Sequence, residues 1–155
     1  MPLTRLEHFL IQTADIDKTC DWYDNALGLK RGPTPDFKFP VQWLYIGKQD
    51  VLHVTEGGAG TSENRKRYLG QQSDALAGSG VIDHVAFRAT GLPEMLDHLR
   101  RAKIPYTQRM VNDQGLFQLF LLDPNGVKIE LNFANAEAIA HGIKPELTAA
   151  ELPNP

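Results

Sequence analysis

The chain of 155 residues is short of several things. Cys20 is its only cysteine, so no internal disulfide is possible and a reducing compartment is the simpler setting. No apolar run approaches the length of a membrane span, and the start, Met1-Pro2-Leu3-Thr4-Arg5, lacks the apolar centre of a secretion signal. Neither sign of charge dominates: 16 basic and 19 acidic side chains leave a net charge of −3. That balance gives no electrostatic reason to bind nucleic acid or an anionic membrane. The expectation is a cytoplasmic, water-soluble protein with neither as a partner. What is present is ordinary globular composition, 42% hydrophobic and 23% charged, enough for one domain or two small units sharing a core.

The most informative stretch is Leu121–Phe133, LLDPNGVKIELNF. Asp123-Pro124-Asn125-Gly126 is strong turn chemistry, because proline presets φ and Asn-Gly supplies left-handed positions. The apolar, β-prone run from Val127 to Phe133 reads as a strand, yet Glu130 stands in its middle between Ile129 and Leu131. Alternation alone would point Glu130 and Lys128 into solvent. A buried carboxylate there would need a cation, donors or water.

Taken in order, Arg5–Thr13 alternates as a strand, with Leu6, His8, Leu10 and Gln12 on one face. Asp15 or Asp17 caps a helix to about Leu27, with Gly28 as its stop. Residues 31–40 are a Pro-rich loop, and Gln42–Ile46 and Val51–Thr55 are strands joined by a turn at Gly47–Asp50. Residues 56–80 are polar and Gly-rich without a clear hydrophobic period, which suits a linker, a lid, or a loop with one helix around Asn64–Leu69. Val81–Ala89 is again a strand, Pro93 opens a helix to about Ala102, and Gly115–Leu122 is a strand. The tail, 134–155, is Ala-rich and then Pro-ended; a short helix and fraying are expected.

The two halves match. Leu6-Glu7-His8 recurs as Ile82-Asp83-His84, 76 positions on, and Leu52-His53-Val54 recurs as Ile129-Glu130-Leu131, offset by 77. Each half is strand, helix, then strands, so the chain divides into a first module at 1–55, the 56–80 connection, a second module at 81–133 and the tail. In a duplicated unit, equivalent positions point towards one shared cleft. His8 pairs with His84 and His53 with Glu130, which places four metal-ligating side chains at equivalent spots. Two imidazoles and a carboxylate suit a borderline divalent ion with positions left for water or substrate. His98 and His141 have no equivalent that could coordinate and read as surface residues.

The segments RLEHFLI, WYDNALGLK, VLHVTE, IDHVAF and DPNGVKIELNF resemble the vicinal oxygen chelate superfamily over about residues 5–133. That group holds glyoxalase I, methylmalonyl-CoA epimerase, fosfomycin-resistance proteins, bleomycin-binding proteins and extradiol dioxygenases. The resemblance implies an α+β fold of two paired βαβββ modules forming a curved mixed sheet around a metal-binding cavity, in a homodimer. It also implies a small-molecule substrate that chelates the metal through adjacent oxygens. Carried over by position, His8, His84 and Glu130 fall on the family's ligands, and His53 falls where glyoxalase I has another glutamate. Gln12 stands where glyoxalase I would want an arginine for glutathione. Asp50 and Phe120 stand where the dioxygenases use a histidine and a tyrosine.

Three activities follow as expectations. The first is proton transfer through an enediolate, glyoxalase- or epimerase-like, on Zn, Ni, Co, Mn or Fe(II), with His53 as fourth ligand or as base. The second is ring cleavage on Fe(II) with O₂. The third is binding or sequestration without turnover. Trp43, Tyr45, Gln118 and Arg88 are the further candidates to face the cavity by strand parity, joined by Phe120 as a substrate contact. The aromatics would wall an apolar substrate, and Arg88 would hold an anionic group.

Overall fold

The computed structural model describes residues 5–69, 75–80, 82–111 and 114–148. Expectations for residues 70–74 of the connection, for Val81 and for 149–155 of the tail lie outside the described residues. The chain forms two compact units, Met1–Gly78 and Ser79–Pro155.

The first unit runs β1 (Phe9–Thr13), α1 (Ile16–Leu27), β2 (Lys30–Arg31), β3 (Val41–Ile46), β4 (Gln49–Glu56) and α2 (Glu63–Leu69). Asp15 starts α1: its backbone is extended and its side chain accepts from Lys18 N at 2.9 Å, satisfying one of the free donors of the first turn. Gly28, at φ 72°, ends the helix in the left-handed conformation that a side chain disfavours. Cys20, Tyr23 and Ala26, spaced as one helix face, are buried, as are Leu44, Leu52 and Val54 of β3 and β4, which α1 contacts. The sheet order is β1-β4-β3-β2, with β1 parallel to β4 and the other pairs antiparallel.

The second unit runs β5 (His84–Arg88), α3 (Leu92–Ala102), β6 (Thr107–Val111), β7 (Leu116–Leu122), β8 (Lys128–Ala134), α4 (Asn135–Ala140) and β9 (Leu147–Thr148). Its sheet order is β5-β8-β7-β6-β9, and β5 is parallel to β8. Phe117, Leu119 and Leu121 alternate along β7, and Ile129, Leu131 and Phe133 along β8; all six are buried. The turn between these strands forms as its residues dictate. The Asp123 carboxylate accepts from Asn125 N at 2.7 Å and Val127 N at 2.8 Å, and Gly126 takes φ 79°.

The α+β architecture of two βαβββ modules is present, with the strands in two mixed sheets, one per unit, rather than in one sheet. Other local expectations are corrected. β1 begins at Phe9, so His8 precedes the strand. β2 pairs with β3 at the start of the stretch read as a loop, and β4 begins at Gln49, so Asp50 belongs to a strand rather than a turn. β6 was not foreseen, since Thr107–Val111 carries polar residues on both faces. The described part of the tail holds the expected short helix, α4, and adds contacts that were not expected: β9 pairs with β6, and Glu137 of α4 accepts from Gly91 N at 2.8 Å and Leu92 N at 2.7 Å. That carboxylate serves the first turn of α3, whose Gly91 cap has no side chain to do so.

Strand register makes the duplication concrete. In the first unit Leu10, His53 and Trp43 lie side by side across β1, β4 and β3. In the second, Ala86, Glu130 and Phe120 lie side by side across β5, β8 and β7. The next row is Gln12, Thr55 and Val41 in one unit and Arg88, Asn132 and Gln118 in the other. The offsets of 76 and 77 therefore relate residues in the same place of each sheet, on the face turned away from the buried aliphatic rows.

Candidate functional site

In the first unit, three rings stack on this face. His53 lies parallel to the Trp43 indole, with centroids 4.1 Å apart, and the His8 ring stacks on it at 3.8 Å. His53 is 8% exposed, and its Nε2 meets Asp50 Oδ2 at 2.7 Å. Burial pushes the His53 pKa down, the Asp50 carboxylate partly opposes this, and the nearby His8 ring adds to the lowering. The imidazole is therefore neutral at neutral pH, the form that ligates a metal or accepts a proton. Asp50 is held below its usual carboxylate range, chiefly by the hydrogen bond from His53.

Ligand atoms of His8, Asp50 and His53 all lie within 4.8 Å of one another, and this is the one such group of three among the described residues. Sequence reasoning missed Asp50. Strict alternation puts residues three apart on opposite faces of a strand. The register, however, slips between Leu44↔Leu52 and Tyr45↔Asp50, leaving Val51 as an extra residue in β4. This bulge turns Asp50 to the side of His53. The only sequence signal was the Asp-x-x-His spacing at a strand start.

In the second unit, Glu130 is 7% exposed and sits in a polar network. Its Oε1 accepts from Gln118 Nε2 at 3.0 Å and Asn132 Nδ2 at 2.7 Å, and its Oε2 stands 3.3 Å from His84 Nε2. The other nitrogen of His84, Nδ1, meets Asp83 Oδ1 at 2.7 Å, and Asp83 also pairs with Lys128 at 2.6 Å. A carboxylate behind an imidazole fixes its orientation and raises its strength as a ligand. Arg109 donates from Nε and Nη2 to Gln118 Oε1 at 2.9 and 2.7 Å, which turns the Gln118 amide so that it donates to Glu130. The same guanidinium lies 4.8 Å from the centroid of Phe120, whose ring is edge-on to His84.

The expected residues thus form two clusters. His8 and His53 are together with Trp43 and the unforeseen Asp50; His84 and Glu130 are together with Gln118, Phe120 and the unforeseen Asn132 and Arg109. Tyr45 lies away from His53: its ring covers Gly32, where an added Cβ would be 2.5 Å from it, and its hydroxyl donates to the Pro33 carbonyl at 2.6 Å. Arg88 is exposed at the end of β5, opposite Asn132. His98 and His141 belong to neither cluster.

Beside His53, an apolar cleft is lined by Leu10, Phe37, Phe39, Trp43 and Tyr68. Phe37 and Phe39 come from the Pro-rich stretch and Tyr68 from α2, whose Asn64 side chain donates to Lys38 O at 2.9 Å. No hydrophobic period marked these residues.

The donor set fits a borderline divalent ion: imidazoles, carboxylates, and a carboxylate behind His84. No helix among the described residues is long and apolar enough to cross a membrane.

The sequence matches the Glyoxalase/Bleomycin resistance protein/Dioxygenase superfamily over residues 5–131. A comparison with curated protein sequences gives no match. Among solved structures, the chain is similar to a genomically encoded fosfomycin resistance protein from Listeria monocytogenes, with 13% identity and TM-score 0.61, covering 87% of this chain and 97% of that one. It is similar to a lactoylglutathione lyase from Agrobacterium tumefaciens, with 15% identity and TM-score 0.55, covering 86% and 96%. It is also similar to an antibiotic binding protein from Streptomyces, with 15% identity and TM-score 0.60, covering 86% and 98%. At these identities the likeness concerns the fold alone.

Proposed function

The chain belongs to the glyoxalase/bleomycin resistance protein/dioxygenase superfamily, and we propose that within it this protein is a metal-dependent enzyme that moves a proton next to a pair of substrate oxygens, a lyase or isomerase. His8, His53, His84 and Glu130 are the proposed ligands, with His53 as ligand or base, and the functional protein is proposed to be a cytoplasmic homodimer.

One observation carries this reading. His53 and Glu130 occupy the same register position of their sheets, each beside an aromatic residue and each near a histidine 45 or 46 residues earlier in the chain. A core-packing role does not call for ligating side chains at both copies of one position. A bound divalent ion supplies positive charge that stabilises the negative charge left on the substrate oxygens as the neighbouring proton departs.

The remaining roles fall to the chain. Asp50 holds His53 by Nε2, so that a proton is accepted at Nδ1, and burial keeps that ring unprotonated. Gln118 and Asn132 fix Glu130 through Oε1 and leave Oε2 directed at His84. Phe120 and Trp43 wall the apolar part of the substrate.

The test is metal content by elemental analysis after loading chelator-stripped protein. Wild type is expected to hold one equivalent, and His84→Ala and Glu130→Ala to lose it. Full occupancy in both variants would sink the proposal. Selective retention of iron, with oxygen uptake on a catechol, would move the assignment to a ring-cleaving dioxygenase.

The aromatic cleft favours a second reading, a binding protein that sequesters an apolar molecule without turnover. Ligand affinity that ignores both chelator and His84→Ala would select it.

A further inference from the structure

Among the described residues Arg65 is the only buried lysine or arginine, at 3% exposure. It stands in α2, where Ser62 Oγ accepts from its backbone N at 3.4 Å. Its Nη2 donates to Gln12 Oε1 at 3.2 Å, while Nε and Nη1 are buried without a partner and no described acidic side chain pairs with it. A buried guanidinium facing one neutral amide is costly, since its charge is uncompensated and its donors are unused. An anion bound beside it would supply the missing charge and acceptors.

The surroundings say what that is. Gln12 lies opposite Thr55, and Thr55 lines the aromatic cleft with Leu10, Trp43 and Tyr68. Tyr68 is three residues after Arg65, on the same side of α2. Its ring packs against Phe37 and Phe39, with centroids 5.1 and 5.7 Å away. The cleft therefore has aromatic walls, and Arg65 reaches, through Gln12, the strand row that holds Thr55 of its lining. The second unit repeats the placing of charge: the equivalent of Gln12 is Arg88, in the row that Arg109 joins through Gln118.

We infer that this cleft takes a molecule with an aromatic body and a carboxylate, and that Arg65 binds the carboxylate through Nε and Nη2, the carboxylate replacing the Gln12 amide on Nη2. The inference deepens the proposed function by naming its substrate class, and rests on reading the His53 face as the substrate site. Planar N–H donors suit a planar carboxylate. The guanidinium is covered in the empty protein, so the ligand reaches it by displacing the Gln12 amide that Nη2 now holds.

The test is isothermal titration of the full chain, kept metal-free by chelator, with 2-naphthoate and its neutral isostere 2-naphthamide. Without metal, the carboxylate gains nothing from an ion. Wild type is expected to bind the acid at least tenfold more tightly than the amide. Arg65→Met should bind both equally, and Arg65→Lys should keep part of the preference. Tyr68→Ala should weaken both ligands alike. Equal affinities in wild type, or an undiminished preference in Arg65→Met that melts like wild type, would overturn the inference. Metal content of Arg65→Met, measured in parallel, reports on the metal reading alone, so the two ideas fail separately.

Discussion

Replacing Glu130 by glutamine separates the structural role of this side chain from its proposed role as a ligand. In the metal-free protein the amide oxygen can take over both hydrogen bonds now accepted by Oε1, from Gln118 at 3.0 Å and Asn132 at 2.7 Å. The new NH₂ faces His84 Nε2, which accepts if the imidazole proton sits on Nδ1 beside Asp83. Two charge-assisted bonds become neutral ones, a loss of about 1–2 kcal/mol. Against this, a carboxylate that is 7% exposed no longer has to be desolvated, a relief of similar or larger size. Unfolding free energy without metal should therefore equal or exceed that of wild type.

Metal reverses the ranking. At a concentration of 100 Kd, an ion that binds only the folded state adds about 2.7 kcal/mol. For a chain of 155 residues this raises Tm by roughly 5–11 °C. Loss of a supporting group already weakens metal sites by up to about 100-fold, and loss of a ligand should do no less. At the same concentration the variant would then gain at most about 0.4 kcal/mol, or about 1 °C. Differential scanning calorimetry of chelator-stripped protein, with Zn, Ni, Co and Mn added in separate runs, reads this directly. A Glu130→Gln protein that keeps the full metal-induced rise would show that this carboxylate ligates nothing.

Two further outcomes follow from local geometry. Asp50→Asn removes the anion held 2.7 Å from His53, so metal Kd should rise about 10–100-fold in competition with a chromophoric chelator; an unchanged Kd would remove Asp50 from the site. Cys20 is fully buried and its thiol is pushed up to about 11, chiefly by desolvation, so the folded state holds its proton between pH 9 and 11 while the unfolded state releases it. Stability from this group is intact below pH 9 and falls as pH rises, by about 2 kcal/mol at pH 10.5. Urea unfolding of wild type and Cys20→Ala at pH 8 and 10.5 checks it, and parallel losses in the two proteins would refute the assignment.

The elements that were legible are those whose chemistry is local. Asp15 and Gly28 bracket α1, Pro93 sits at the start of α3, and Asp123–Gly126 turns β7 into β8, each through contacts within a few residues. The pairing of His53 with Glu130 was legible for a different reason: duplication wrote the same position twice, and a carboxylate in an apolar strand stood out in one copy. β6 was not legible, because Thr107–Val111 gains its strand conformation from β7, with Arg109 reaching Gln118 across the ladder.

Asp50 and Arg65 escaped for a common physical reason. A bulge at Val51 decides which way Asp50 points, and no residue type in Gln49–Glu56 announces the bulge. Arg65 lies in a polar segment whose composition suggests solvent, yet its helix is pinned by Asn64 to Lys38 and its guanidinium is turned inward onto Gln12. Both residues matter through contacts with parts of the chain that periodicity cannot relate to them. The consequence is testable across the family: relatives that lack the register slip should not carry an acid three residues before the position of His53, since it would face the helix α1 rather than the imidazole. A solved relative with unbroken register and a carboxylate at that position directed to its histidine would show that the bulge is not what places Asp50.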